Sequence, residues 1–167
     1  LPGATLIIRD SNNKEIARWI STDKVHKVKL NPGTYTLEEI IAPEGYISSA
    51  EKVEFTVKED GTCDRIVMEN KMNSIIISKR GVSTNEELPG ATLVLMDDKE
   101  NVIEEWVSED KPHVIKGMKI GKYFIKEIKA PKGYAISENI LEFVVNEDGT
   151  INSSELIKKK KKIDVPM

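Results

Sequence analysis

The sequence predicts an all-β protein of two tandem Ig-like β-sandwich domains, and three observations carry this prediction. Short segments that alternate apolar and polar residues recur along the chain and are separated by turn residues. Helical periodicity is almost absent from these segments, which favours strands over helices. The order of segments is then repeated once, so the chain contains two copies of one β-module.

The repeat is a tandem duplication that can be followed through each copy. The opening segment "LPGATLIIRD" returns as "LPGATLVLMD" at residues 88–97. The block "YTLEEIIAPEGY" at 35–46 returns as "YFIKEIKAPKGY" at 123–134, and "FTVKEDGT" returns as "FVVNEDGT". Because a new strand-like segment begins soon after the end of the first copy, the predicted domains are 1–71 and 72–167.

Each copy consists of predicted short strands separated by turn sequences. In the first copy these strands are "ATLIIRD" (4–10), "IARWIS" (16–21), "VHKVKL" (25–30), "TYTLEEI" (34–40), "KVEFTV" (52–57) and "DRIVMEN" (64–70). The turns "SNNKE", "NPG", "APEGY" and "KEDGT" lie between them. The second copy repeats this order but opens with an additional segment, "SIIISKR" at 74–80. The first domain is therefore predicted to lack its N-terminal strand.

Composition excludes several classes of function. The net charge of −3 gives no general attraction for nucleic acid, and no apolar run approaches the ~20 residues of a membrane span. The single cysteine, Cys63, excludes an intramolecular disulfide, and His26 and His113 belong to different repeats, so we expect no metal site. The sequence contains no Ser/His/Asp or Cys/His pattern, and we expect neither a cofactor nor enzymatic activity on a substrate.

One acidic residue in each copy falls on a face that should be buried. Glu39 shares the alternation of Tyr35 and Leu37 along a predicted strand, and Glu127 occupies the equivalent position of the second copy. A carboxylate on the core face of a strand is costly unless other polar groups inside the domain contact it. These two glutamates are therefore candidate functional residues.

The motifs "LPGATL", "NPGTYTLEEIIAPEGY" and "FTV…DG" closely resemble those of the Cna B-type (SpaA-like, prealbumin-like) domains of Gram-positive surface adhesins and pilins. The resemblance covers nearly the whole chain, twice. It implies prealbumin-like sandwiches at the cell surface or cell wall of a Gram-positive bacterium. Members of this family often carry an internal isopeptide bond between a Lys on the first strand and an Asn or Asp on the last, promoted by a Glu.

The chemistry of such a bond explains why its residues lie in a core. Burial in a medium of low dielectric disfavours the charged form of an amine, and only the neutral amine can attack a carbonyl carbon. A protonated Glu can relay protons to the leaving group. Packing fixes the reactants side by side, which can be equivalent to roughly 7–11 kcal/mol of barrier.

The resemblance assigns the residues of this chemistry unevenly. Glu39 and Glu127 match the catalytic Glu, Asn70 matches the last-strand acceptor of the first copy, and Lys79 matches the first-strand Lys of the second. In the second copy, lysines (158–160) fill the positions aligned with Asn70, so a bond requires a register shift that brings Asp164 inward.

Other acceptors for the second copy stay open, namely Asn152 and Glu155. The first copy has no matching Lys. Either the sequence begins inside this domain and the Lys lies upstream, or the open sheet edge beside Asn70 accepts a strand in trans.

The expected function is a structural stalk or backbone module of a cell-wall-anchored adhesin or pilin. Its expected partners are neighbouring domains of the same surface protein, a sortase-linked cell wall or pilus, and a strand donor for the first domain. The alternative is a ligand-binding adhesin domain that recognises a host or matrix protein. The lysine run 158–162 is interpreted as a solvated strand or tail, with an anionic partner as the alternative.

Overall fold

The structure, a computed structural model, describes residues 1–152 and 155–157, and this part of the chain contains strands and turns but no helix. The first-repeat strands are β1 (Thr5–Asp10), β2 (Glu15–Ile20), β3 (Gly33–Ile41), β4 (Tyr46–Ile47), β5 (Val53–Val57) and β6 (Lys71–Met72). Those that follow are β7 (Ser74–Ile77), β8 (Thr92–Asp97), β9 (Val102–Val107), β10 (His113–Lys116), β11 (Gly121–Lys129), β12 (Ile140–Val145) and β13 (Glu155–Ile157).

The chain divides into two compact units. Unit 1 contains Leu1–Asn73 together with Gly117–Lys119 and Glu147–Thr150. Unit 2 contains Ser74–Lys116, Ile120–Asn146 and the described residues from Ile151 onward. The all-β prediction of two sandwich domains is confirmed. Nowhere in the described ranges is there a helix with the length and hydrophobicity needed to cross a bilayer.

Unit 1 is built on a four-stranded antiparallel sheet with the order β2-β1-β3-β5. Its buried core consists of Ile8 on β1, Tyr35 and Leu37 on β3, and Val57 on β5. These side chains share one face because side chains two residues apart on a strand point the same way. The short strands β4 and β6 pair separately.

Unit 2 repeats this sheet and extends it. The order is β13-β12-β11-β8-β9, and β7 pairs with β10 in a second, two-stranded sheet. The equivalent core residues, Leu95, Tyr123, Ile125 and Val145, are all buried, and Ile77 on β7 is buried as well. Unit 2 therefore has a second sheet to which its first strand contributes.

Two predicted strands of the first repeat are wrong. Residues 25–30 and 64–70 have no regular strand structure. In unit 2, the counterpart of 26–29 is β10, which is held by ladder hydrogen bonds to β7. Within the described residues no segment forms such a ladder with 25–30 or with 64–70. Strand-forming sequence alone did not make a strand there, because a strand needs a neighbour for its backbone hydrogen bonds.

Candidate functional site

Glu39 is buried in unit 1, as the alternation on β3 predicts. It is 6% exposed, and it lies opposite Leu6 of β1 in the register of the sheet. A carboxylate removed from water in this way must be compensated by hydrogen bonds, or its burial would be strongly destabilising.

Two groups donate hydrogen bonds to the Glu39 carboxylate, and a third group accepts a hydrogen bond from one of these donors, the side chain of Asn70. The backbone N–H of Ser49 donates to Oε2 at 2.9 Å. The side-chain Nδ2 of Asn70 lies 2.6 Å from Oε2 and 2.7 Å from Oε1, and also donates to the carbonyl oxygen of Ile47 at 3.1 Å. In each of these contacts a nitrogen donates and the carboxylate accepts.

This arrangement points the amide nitrogen of Asn70 at the acid. If an amine attacked the side-chain carbonyl carbon of Asn70, Nδ2 would be the group that leaves. A proton carried by Glu39 would then be within hydrogen-bond distance of the leaving nitrogen. Unit 1 therefore brings Glu39 and the predicted acceptor, Asn70, together.

Unit 2 places Glu127 in the same position on β11. Its side chain is 2% exposed, and the backbone N–H of Ser137 donates to Oε2 at 2.5 Å. Its other oxygen, Oε1, lies 3.6 Å from Nζ of Lys79 and has no hydrogen-bond partner within the described residues. Lys79 follows β7, and its side chain is 23% exposed. Unit 2 therefore brings the acid and the amine together.

A cavity of about 420 Å³ opens beside this ion pair in unit 2. Lys79, Glu127, Ser137, Asn139 and Leu141 are among its lining residues. The cavity thus borders both members of the ion pair.

Of the acceptor candidates in unit 2, only the side chain of Asn152 lies within the described residues. Asp164 falls outside the described part of the chain, and only the backbone of Glu155 is described. Asn152 is exposed, and its side-chain oxygen accepts a hydrogen bond from Asn146 at 2.9 Å. Each unit thus brings together two of the three predicted residue types. Glu39 contacts Asn70 in unit 1, and Glu127 contacts Lys79 in unit 2.

Sequence analysis missed the two backbone donors that hold the glutamates. Ser49 and Ser137 lie ten residues after Glu39 and Glu127 respectively, beyond the "APxGY" corner of each repeat. Any residue except proline could supply this N–H, so no side chain signals it. The only signal in the sequence is the conserved spacing between the two copies.

The histidines and the cysteine lie apart from this chemistry. His26 stacks on Trp19 and His113 on Trp106, each with ring centroids 4.4 Å apart. Cys63 is exposed. Across the residues that can be described, no group of three or more His, Cys, Asp or Glu side chains has the geometry of a metal site.

Comparison with known proteins identifies the repeat unit. The sequence model of the SpaA prealbumin-like fold domain matches residues 1–72 and again 73–160. A search of curated proteins found no match. The resemblance noted in the motifs is confirmed by the double match to the family.

Solved structures give further similarities. The Bacillus anthracis TIE protein is 30% identical over 90% of this chain, with a TM-score of 0.51, and the match spans 29% of that protein's chain. The C-terminal fragment of the pilus adhesin SpaC from Lactobacillus rhamnosus GG is 16% identical, with 96% of this chain and 81% of that chain covered and a TM-score of 0.49. On the evidence of the two family matches, the chain belongs to the family of SpaA domains with the prealbumin-like fold, and it contains two of them.

Proposed function

We propose that this chain is a structural stalk or backbone module of a cell-wall-anchored adhesin or pilin of a Gram-positive bacterium. One observation supports the proposal: each repeat buries a glutamate at the same strand position, in contact with Asn70 in unit 1 and with Lys79 in unit 2. Membership of the SpaA family supports the same assignment. Neighbouring domains of the same surface protein, and a sortase-linked wall or pilus, are the partners this function implies.

A bond between the first and last strands suits a module that is pulled at its ends. Force applied to the termini would pass through the covalent bond, and the hydrogen-bonded sheets would be spared. The bond would also restrict the unfolded chain, as a disulfide does. It would need no cysteine, and the one cysteine of this chain is exposed and unpaired.

The proposed reaction moves protons between groups that are already adjacent. The Lys ammonium gives a proton to the Glu carboxylate, and the neutral amine attacks the carbonyl carbon of the acceptor. The new C–N bond forms, the Glu returns protons to the leaving group, and the bond from carbon to that group breaks. An Asn acceptor releases ammonia and an Asp acceptor releases water. The chain would perform this once on itself, so it is not an enzyme acting on a substrate.

Unit 2 is where this chemistry can be tested within one chain. Lys79 and Glu127 are in place, and the acceptor we propose is Asp164, which lies outside the described residues. A Lys79–Asp164 bond would lower the intact mass by one water. Without the bond, Lys79 and Glu127 would keep a partly buried ion pair, in which removing either partner leaves the other charge uncompensated.

Intact-mass measurement followed by tandem mass spectrometry of Lys79-containing peptides tests the proposal. We expect a branched peptide that joins Lys79 to Asp164, and we expect it to disappear in Glu127→Gln. Glu142→Gln is the matched control, because Glu142 lies on the neighbouring strand and pairs with Lys122 instead. Unmodified Lys79 in every peptide of the parent protein would reject the crosslink in unit 2.

A further inference from the structure

Strand β2 forms one edge of the sheet in unit 1 and carries apolar residues on its outer face. The strand order β2-β1-β3-β5 leaves one side of β2 without a hydrogen-bonded neighbour in the described part of the chain. Ala17 and Trp19 pack on the core, whereas Ile16 and Ile20 are 43% and 66% exposed. Arg18 lies between the two isoleucines, and its side chain is half exposed. This edge therefore presents one cation flanked by two aliphatic residues.

Strand β9 forms the equivalent edge of unit 2, with the opposite charge at its centre. It is the last strand in the order β13-β12-β11-β8-β9. Ile103 and Val107 are 53% and 58% exposed. Glu105 lies between them and is exposed as well. The two edges are thus alike in their aliphatic residues and opposite in charge.

The other edge of the sheet in unit 1 has a different character. On β5, the exposed residues that alternate with the core-facing ones are Glu54 and Thr56, and both are polar. Polar and charged side chains on an outer strand discourage pairing with another chain, whereas an apolar edge is a template for it. In this sheet, β2 is therefore the edge suited to pairing.

We propose that β2 of one copy of this chain pairs with β9 of a second copy, so that the two sheets become continuous. Each charge lies at the centre of three outward residues, so either strand direction places Arg18 opposite Glu105 and sets aliphatic residues against each other. Opposite charges across a ladder stabilise it, and the aliphatic side chains lose contact with water. The unpaired backbone groups of both edges gain hydrogen-bond partners.

The same charges disfavour pairing between like edges. Two β2 strands centred on each other would set Arg18 against Arg18, and two β9 strands would set Glu105 against Glu105. Like charges directly opposite each other destabilise a ladder. A copy that pairs through β2 still has its own β9 available, so the contact is heterologous and leads to a ring or an open chain of copies.

Arg18 already contacts Glu15 on its own strand, and this contact is compatible with the proposed pairing. Nε donates to Oε1 of Glu15 at 2.7 Å, and Nη2 donates to Oε2 at 3.0 Å. A guanidinium has five N–H donors in one plane, so Nη1 can donate to a second carboxylate. The contact with Glu15 also limits the rotamers of Arg18, which reduces the entropy lost when the edges pair.

A β-bulge near the start of each edge strand limits the strength of the contact. The β1–β2 ladder changes register between Ile8 and Arg9, and the β8–β9 ladder does so between Leu95 and Met96. Bulges shorten the regular part of an edge, and they are one of the ways in which proteins restrain edge pairing. The association should therefore be weak and reversible.

Sedimentation velocity of the full chain, from about 1 µM to 1 mM, measures this association. We expect a reversible shift from monomer to larger species as the concentration rises. Arg18→Glu and Glu105→Arg should each weaken it about threefold to thirtyfold, because an attractive cross-strand pair becomes repulsive. Arg65→Glu and Glu86→Arg are the matched controls, since both residues are exposed and lie outside the strands, and they should leave the association unchanged.

An equimolar mixture of Arg18→Glu and Glu105→Arg separates edge pairing from damage to the fold. Every β2–β9 contact between unlike chains in this mixture again joins opposite charges, so we expect the mixture to recover the association of the parent protein. A misfolded variant would not be rescued in this way.

Three results would overturn the edge contact: a parent protein that stays monomeric up to about 1 mM, an association that neither charge reversal weakens, or a mixture that associates no better than the separate variants. The contact is non-covalent and involves neither Lys79 nor Asn70. Its failure would therefore leave the proposed crosslink to be decided separately, by mass.

Discussion

Equivalent segments of the two repeats, "HKVK" at 26–29 and "HVIK" at 113–116, differ in structure. His113–Lys116 of unit 2 is strand β10, with four residues paired to β7, whereas residues 26–29 of unit 1 have no ladder in the described chain. Both segments carry a β-branched residue at the inward position, Ile115 and Val28. The clearest difference between the two segments is the partner strand, which supplies backbone hydrogen bonds to 113–116.

The same comparison applies to the buried acids. Each glutamate is held by a serine backbone N–H, so this part of the site does not depend on the first strand. The partner differs: an amide in unit 1 and an amine in unit 2. The amine belongs to the segment that follows β7, which explains why it is found only where that strand is present.

The largest effect should come from removing a core aromatic ring in each unit. Phe143→Ala should cost about 3–5 kcal/mol because the ring is fully buried and leaves a cavity. Phe55→Ala should cost about 1–2 kcal/mol, since its ring is already partly in contact with water. Denaturant unfolding followed by Trp106 for unit 2 and Trp19 for unit 1, in single-tryptophan backgrounds, measures each cost. Equal losses would contradict the difference in burial.

A smaller difference should separate the two glutamates when each is changed to glutamine. In an Asp164→Ala background, which cannot form the proposed crosslink, Glu127→Gln removes the anion from Lys79 and should cost about 1–3 kcal/mol, because the ammonium cannot accept a hydrogen bond from the new NH₂ group. Glu39→Gln should cost less, because the Asn70 amide can turn and accept from the new NH₂ group. Thermal unfolding of both variants at neutral pH checks the order. A larger loss for Glu39→Gln would show that Asn70 is held by contacts we have not identified.

The smallest effect concerns the "EDGT" turn, which is alike in both repeats. The Thr62 hydroxyl, and then its backbone N–H, hold the pKa of Asp60 below its usual value, and Thr150 does the same for Asp148. A carboxyl whose pKa is lowered by folding stabilises the protein above its unfolded-state pKa, and that contribution is lost as pH falls through the folded value. Thr62→Val should therefore raise the pKa of Asp60, and its small destabilisation should fade in acid.

NMR titration of the Asp60 side chain in the parent and the variant measures this shift. Thr150→Val is the matched variant for Asp148 and should move that pKa in the same direction. If the pKa of Asp60 is the same in the parent and in Thr62→Val, the Thr62 hydroxyl does not lower that pKa, and this explanation of the turn is wrong.

Much of this fold could be predicted from alternation and repetition. The periodicity of "TYTLEEI" placed Glu39 with Tyr35 and Leu37 on the buried face, because a period of two leaves no other choice. The missing regularity at 25–30 and 64–70 could not be predicted from their own residues, since pairing is a property of the whole sheet. The serine N–H donors were invisible for a different reason, because every residue except proline has that group.

Hydrogen exchange at the two equivalent segments of the full chain tests the central claim most directly. The account predicts slow exchange for the amides of 113–116 that are bonded to β7, and exchange close to that of an unstructured chain for 26–29. Comparable protection in both segments would mean that the amides of 26–29 are also hydrogen-bonded, and would contradict the difference in strand pairing between the two units.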